Sequence, residues 1–84
     1  MNIENTIKKI LSSELFVEVS EEEMGLDDSL RNDFSLDSMG FIELRVNCEE
    51  QFDIKISDEK FNDQNFKSIR TVADLVRELQ MAKK

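Results

Sequence analysis

Ile3, Ile7, Ile10, Leu11 and Leu15 recur at the interval that lines side chains along one side of an α-helix, while Lys8, Lys9 and Glu14 fall on the other side. Asn2 stands where a short polar side chain can accept from the first unsatisfied N–H groups, so the spacing predicts a helix over residues 3–16. A second apolar stripe, Phe41, Leu44, Cys48 and Phe52, starts just after Asp37 and Ser38 and stops before Asp53. Val72, Leu75, Val76 and Leu79 make a third. Thr71 with Asp74 three residues on reads as a capping box opening that helix, which is expected to run to about Met81.

Two stretches lack this regularity. Between Ile56 and Ile69 the apolar residues Phe61 and Phe66 are too sparse for a long helix, but Ser57 can cap a short one through Phe61. From Val17 to Leu36 no period persists, and a loop of about 20 residues in so small a chain calls for a functional reason. Ser20 with Glu23 suggests a single capped turn there and Gly25 its stop; Leu26, Leu30, Phe34 and Leu36 are candidate anchors. The expected fold is all-α: a small four-helix bundle, three long helices and one short, with the loop across one end. Residues 1–84 read as one domain without repeats or linkers, frayed only at Ala82, Lys83 and Lys84.

Composition narrows the chemistry. The chain has no proline and two glycines, which suits helices. Its formal charge is −8, and residues 27–63 carry eleven acidic side chains against four basic ones. Such a field repels nucleic-acid phosphates and anionic lipid heads and steers proteins presenting Arg/Lys patches, although it also serves plain solubility. With no histidine and one cysteine, His-bearing triads, His/Cys zinc sites and internal disulfides are excluded. No apolar run approaches a membrane span or a signal peptide, so a cytoplasmic monomer is the default expectation.

The segment DDSLRNDFSLDSMGFIEL, residues 27–44, then becomes informative. Leu30, Asp33 and the run Leu36-Asp37-Ser38-Met39-Gly40 resemble the signature of the acyl carrier protein family, and the resemblance extends through FDIKISDE and NFKSIRTVADLV over nearly the whole chain. It implies that Ser38, preceded by Asp37, receives 4′-phosphopantetheine from coenzyme A through a dedicated, divalent-metal-dependent phosphopantetheinyl transferase. The arm's thiol would then bear acyl or aminoacyl groups as thioesters. Partners would be that transferase, an acyl- or aminoacyl-activating enzyme, and downstream synthases or transferases with basic patches; no catalytic residue and no metal ligand is implied on this chain. A phosphodiester at the first turn of a helix also meets free N–H groups and the positive end of the helix dipole. By itself, Asp37-Ser38 reads as an ordinary helix cap, and it is the surrounding residues that favour the attachment site.

On the second helix, Met39, Ile42 and Val46 lie off the core stripe. In the carrier family an exposed apolar strip rimmed by carboxylates is what partner enzymes recognise, and Met39, Ile42, Glu43, Val46, Glu49 and Glu50 match it. The alternative is that Met39, Ile42 and Val46 widen the buried face. Cys48 reads as a small buried hydrophobe. Several residues depart from the family pattern. Met39 replaces the usual Leu, Gly40 weakens the helix start, Arg45 adds a cation, and the segment between Ile56 and Thr71 is longer than in housekeeping fatty-acid carriers. The last feature is similar to carriers of specialised pathways, polyketide-type included, or to the aminoacyl carrier of D-alanylation. Two rivals stand beside the carrier reading. Asp33, Ser35 and Asp37 alternate like calcium-loop ligands, but Ser38 and Leu44 occupy the places that need Gly and Glu. An unmodified acidic helical adaptor is the other.

Overall fold

A computed structural model describes residues 2–82; of the end expected to fray, Ala82 is instead the last residue of a helix, and Lys83 and Lys84 lie outside the described residues. Three helices form: α1 (Ile3–Ser13), α2 (Ser38–Phe52) and α3 (Ile69–Ala82), with a 3-10 turn at Glu21–Glu23. Among the described residues there is no strand, and each helix packs on the other two. Ile7 and Leu11 of α1, Leu44 and Cys48 of α2, and Ile69, Val72 and Val76 of α3 meet in one core of essentially inaccessible side chains. The all-helical expectation holds, with three long helices rather than three plus a short fourth.

Asn2 caps α1 as expected, its Oδ1 accepting from the Asn5 N–H at 3.0 Å. The helix stops at Ser13, three residues short of the predicted end. Beyond it the Leu15 N–H bonds back to the Ile10 carbonyl and the Val17 N–H to that of Leu11, with Phe16 between them at φ 57°. Leu15 and Val17 turn onto the core and Phe16 turns out.

At α3 the capping box sits three residues earlier than predicted. The Thr71 N–H donates to Ser68 Oγ (3.3 Å) and the Ser68 N–H to Thr71 Oγ1 (3.0 Å), so Thr71 closes the box instead of opening it. The short helix expected from Ser57 does not form. Lys60 and Phe61 donate to the Ser57 carbonyl in one turn. Asn62 and Asn65 side chains then bond the Asn65 N–H and the Lys60 carbonyl, and these local bonds compete with helix continuation.

The long loop is well anchored. Leu30, Phe34 and Leu36 are buried and Leu26 packs on the core. The Arg70 N–H donates to the Leu26 carbonyl and the Leu30 N–H to that of Lys67, tying the loop to the start of α3. Ser20 Oγ and Glu23 Oε1 pair at 3.2 Å beside the 3-10 turn. Gly25, expected as a left-handed stop, does not adopt a positive φ. Its N–H donates to Asp28 Oδ2 at 2.8 Å, and a Cβ there would lie 2.9 Å from that carboxylate. A side chain at this position would displace the Asp28 carboxylate from its bond to the backbone.

All four arginines meet a carboxylate of the same chain: Arg31 with Asp63, Arg45 with Asp58, Arg70 with Asp27 and Arg77 with Glu4. Arg77 to Glu4 joins α3 to α1 through contacts of 2.7 and 2.6 Å, and this hydrogen bond, more than any other influence, holds the Glu4 carboxyl below its ordinary pKa.

Candidate functional site

The last third of the loop sets the position of α2. Asp33 Oδ2 accepts from the Ser29 N–H (2.7 Å), Ser29 Oγ accepts from the Asn32 N–H, and the Leu36 N–H returns to the Leu30 carbonyl. Ser35 then takes φ 58°, reversing the chain before Leu36 goes into the core. Asp37 caps the helix: its Oδ1 accepts from the Gly40 N–H at 2.8 Å and its carbonyl from the Phe41 N–H. Ser38 follows as the first helical residue, exposed. Gly40, which seemed merely to weaken the helix, has a packing reason, because a Cβ would approach Leu36 Cδ2 to 3.0 Å.

Ser38 thus stands at a helix N-terminus with its hydroxyl toward solvent, where an attached phosphodiester would meet backbone N–H groups and the positive dipole end. Beside it lies a cleft of about 210 Å³ walled by Arg31, Phe41, Ile42, Phe61, Asn62, Asp63 and Phe66. The Arg31 guanidinium sits 5.6 Å over the Phe41 ring and 3.9 Å from Asp63. Phe61 and Phe66 meet edge to face at 4.9 Å. An exposed nucleophilic oxygen, a cation and an apolar trough suit a phosphodiester-linked flexible arm. On the other side of the same helix start, a wider groove of about 700 Å³ runs between the residues after α1 and Asp37, Met39 and Glu43.

The outer face of α2 carries Met39, Ile42 and Val46, 64, 48 and 45% exposed, so these side chains do not widen the core. Glu43 and Glu50 flank them, exposed as well. Glu49 is placed differently. It is half-buried, and its Oε2 accepts from the Ile56 N–H at 2.8 Å. Arg45, expected as a surface cation, also turns inward: its Nε and Nη2 donate to the Ile56 carbonyl, Nη2 reaches Asp58 at 3.1 Å, and the guanidinium lies 4.9 Å over Phe61. One turn of α2 therefore holds both backbone polar groups of Ile56 and, through Phe61, a wall of the cleft. Cys48 is fully buried, and desolvation pushes its thiol up to about 12.

The alternating Asp33, Ser35 and Asp37 do not converge. Asp33 is bound to Ser29 and Asp37 to Gly40, and among the described residues no three His, Cys, Asp or Glu side chains are placed to share a metal ion. Sequence reading missed Arg31 and Phe16. Arg31 has no periodic signal; Phe16 had one available, an apolar residue off the stripe just where the first helix gives out.

Residues 5–79 match the family model described as "Phosphopantetheine attachment site". The chain is 33% identical over 76 residues to an acyl carrier protein of Buchnera aphidicola subsp. Baizongia pistaciae, covering 90% of this chain and 92% of that one. It is 34% identical over 70 residues to one from Coprothermobacter proteolyticus, covering 83% and 80%. In fold it is similar to the solution structure of a holo acyl carrier protein from Nitrosomonas europaea, with a TM-score of 0.79 at 23% identity over 98% of this chain and 99% of that one.

Proposed function

The chain belongs to the acyl carrier protein family, whose members bear a covalent phosphopantetheine, and we propose that here the arm is attached at Ser38 and carries acyl or aminoacyl intermediates. One observation supports the assignment above others: within the matched region, the Ser38 hydroxyl is exposed on the first turn of α2, directly behind the Asp37 cap.

The residues divide the work. Asp37 fixes the direction of the first turn, so that Ser38 Oγ points outward for transfer from coenzyme A. As the Oγ–phosphorus bond forms, the pyrophosphate P–O bond of coenzyme A breaks and adenosine 3′,5′-bisphosphate leaves, while the hydroxyl proton goes to a base on the transferase, since this chain has no histidine and the Asp37 carboxylate is engaged with Gly40. Arg31 stands on the cleft rim to face the phosphodiester, and Phe41, Ile42, Phe61 and Phe66 offer an apolar bed. Once bound, the group supplies a flexible thiol for thioester chemistry. The protein itself is non-catalytic. It presents the cargo to a phosphopantetheinyl transferase, an activating enzyme and downstream enzymes with basic patches, which Met39, Ile42, Glu43, Val46 and Glu50 receive; Glu49 contributes from the edge of that face while holding Ile56. No described helix is long and apolar enough to cross a membrane, and the reading places this single-domain carrier in the cytoplasm with its coenzyme A.

The cargo belongs to fatty-acid-like, polyketide or other specialised biosynthesis. The aminoacyl, D-alanyl-type alternative draws on the fully exposed Asp63 carboxylate at the cleft rim, which can face an ammonium.

Intact mass after incubation with coenzyme A, Mg²⁺ and a broad-range transferase tests the reading. A single phosphopantetheinyl increment is expected on the wild type and none on Ser38→Ala, which should fold normally. No increment with several transferases would favour an unmodified adaptor. Hydroxylamine release from the loaded protein then identifies the cargo by mass.

A further inference from the structure

Phe16 combines two features that folding alone does not favour. Its φ is 57°, in the left-handed region where a side chain with a Cβ is strained and where helices usually end on glycine. Its ring is 80% exposed, more than any other large apolar side chain among the described residues. Leu15 and Val17 on either side pack on the core, so the fold dictates that the intervening side chain faces water but not that it be aromatic. Glycine or a polar residue would be easier to accommodate.

The surroundings indicate a use. Phe16 lines the groove of about 700 Å³ that Asp37, Met39 and Gly40, the neighbours of Ser38 on either side, also line, together with Glu43. Glu18, Asp33, Asp37 and Glu43 give its walls four carboxylates, and no basic side chain lines it. Phe16 and Met39 are thus exposed apolar groups lining one negative groove that reaches the proposed attachment point. Aromatic side chains in such positions serve as interface anchors, and the carboxylates set the sign of the partner.

We propose that Phe16 is a docking anchor for the phosphopantetheinyl transferase, its ring entering an apolar recess bordered by Arg or Lys side chains while the enzyme reaches Ser38 across Met39. This rests on the carrier reading and adds to the α2 face a contact from the residues after α1. A ring pre-set in a strained turn loses little freedom on binding, which favours anchoring. Partner cations close to Glu18, Asp33 and Glu43 make the contact sensitive to ionic strength.

The test is steady-state modification of the intact apo protein by a broad-range transferase with coenzyme A and Mg²⁺, comparing wild type, Phe16→Ala, Phe16→Gly and Phe16→Tyr, with a melting temperature for each. Phe16→Ala and Phe16→Gly are expected to raise KM for the carrier by roughly tenfold, as loss of an aromatic anchor does, and the rise should shrink as salt increases. Phe16→Tyr should restore KM, and Phe16→Gly should melt no lower than wild type. Unchanged KM in both truncations overturns the proposal. So does a large fall in melting temperature in both, which would make the ring structural, or a concentration-dependent wild-type dimer that Phe16→Ala abolishes, which would make a second copy the occupant. Absence of any modification of wild type would instead count against Ser38 as the attachment residue, so the two failures are distinguishable.

Discussion

Replacing Arg45 by methionine probes how the segment after α2 is held. Methionine keeps most of the aliphatic stem and removes only the guanidinium. The Ile56 side chain is 2% exposed and its carbonyl takes bonds from both Nε and Nη2, so the substitution leaves a largely buried acceptor without these partners. Such an orphaned group costs about 1–3 kcal/mol. The lost stacking over Phe61 at 4.9 Å adds ~0.5–1 kcal/mol. The Asp58 contact contributes little, since that side chain is 98% exposed and solvent screens it. The expected loss is therefore about 2–3 kcal/mol, against a total of roughly 4–12 kcal/mol for a chain of 84 residues. In urea this moves the midpoint down by about 2–3 M if the slope is near 1 kcal/mol/M. Asp58→Ala, the control, should stay within ~0.5 kcal/mol of wild type. Glu49→Ala should couple to Arg45→Met in a double-mutant cycle, because the two side chains hold the N–H and the carbonyl of the same residue, Ile56. An Arg45→Met protein within about 0.5 kcal/mol of wild type would refute the clamp.

Three further outcomes are expected. Because Arg77 holds the Glu4 carboxyl below its ordinary 4.5, that stabilisation is fully present above pH 4.5 and fades as pH falls through the lowered value. Glu4→Gln should therefore melt below wild type at pH 7, with the gap closing in acid; a constant gap in a pH series of melts counts against it. Cys48, buried with its thiol raised to about 12, should resist iodoacetamide at pH 8. The apo protein is expected to gain an alkyl group only in denaturant, whereas the holo protein gains one under native conditions, read by intact mass. Finally, crowding of carboxylates in a chain of charge −8 predicts that salt raises the melting temperature between about 10 and 150 mM, and an unchanged or falling value contradicts it.

The three helices were legible because each has a sustained apolar stripe, and the exposure of Met39, Ile42 and Val46 followed from their angle to it. Ser38 stood out through its context. What escaped depended on contacts distant in sequence or on backbone handedness. Arg45 looked like a surface charge because its target, the Ile56 carbonyl, is eleven residues away with no helical relation to it. Glu49 was placed with the acidic rim for the same reason. The helix end at Ser13 and the reversals at Phe16 and Ser35 lack the glycine that usually marks a left-handed residue. Around Ser57 a valid cap signal was overruled by two asparagine side chains.

The pairing of every arginine with a carboxylate of its own chain affects how copies of this protein meet each other. A guanidinium is the group best shaped to grasp carboxylates, and the two that reach furthest along α3, Arg70 and Arg77, already grip Asp27 and Glu4 with two nitrogen–oxygen contacts each. When the acidic α2 face of one molecule approaches that of a second, carboxylate meets carboxylate, and Arg70 and Arg77 are already engaged within their own chain. The α2 faces of two copies therefore repel each other. For the carrier role proposed above, the cations that complement the acidic α2 face would then come mainly from the partner and not from a second copy.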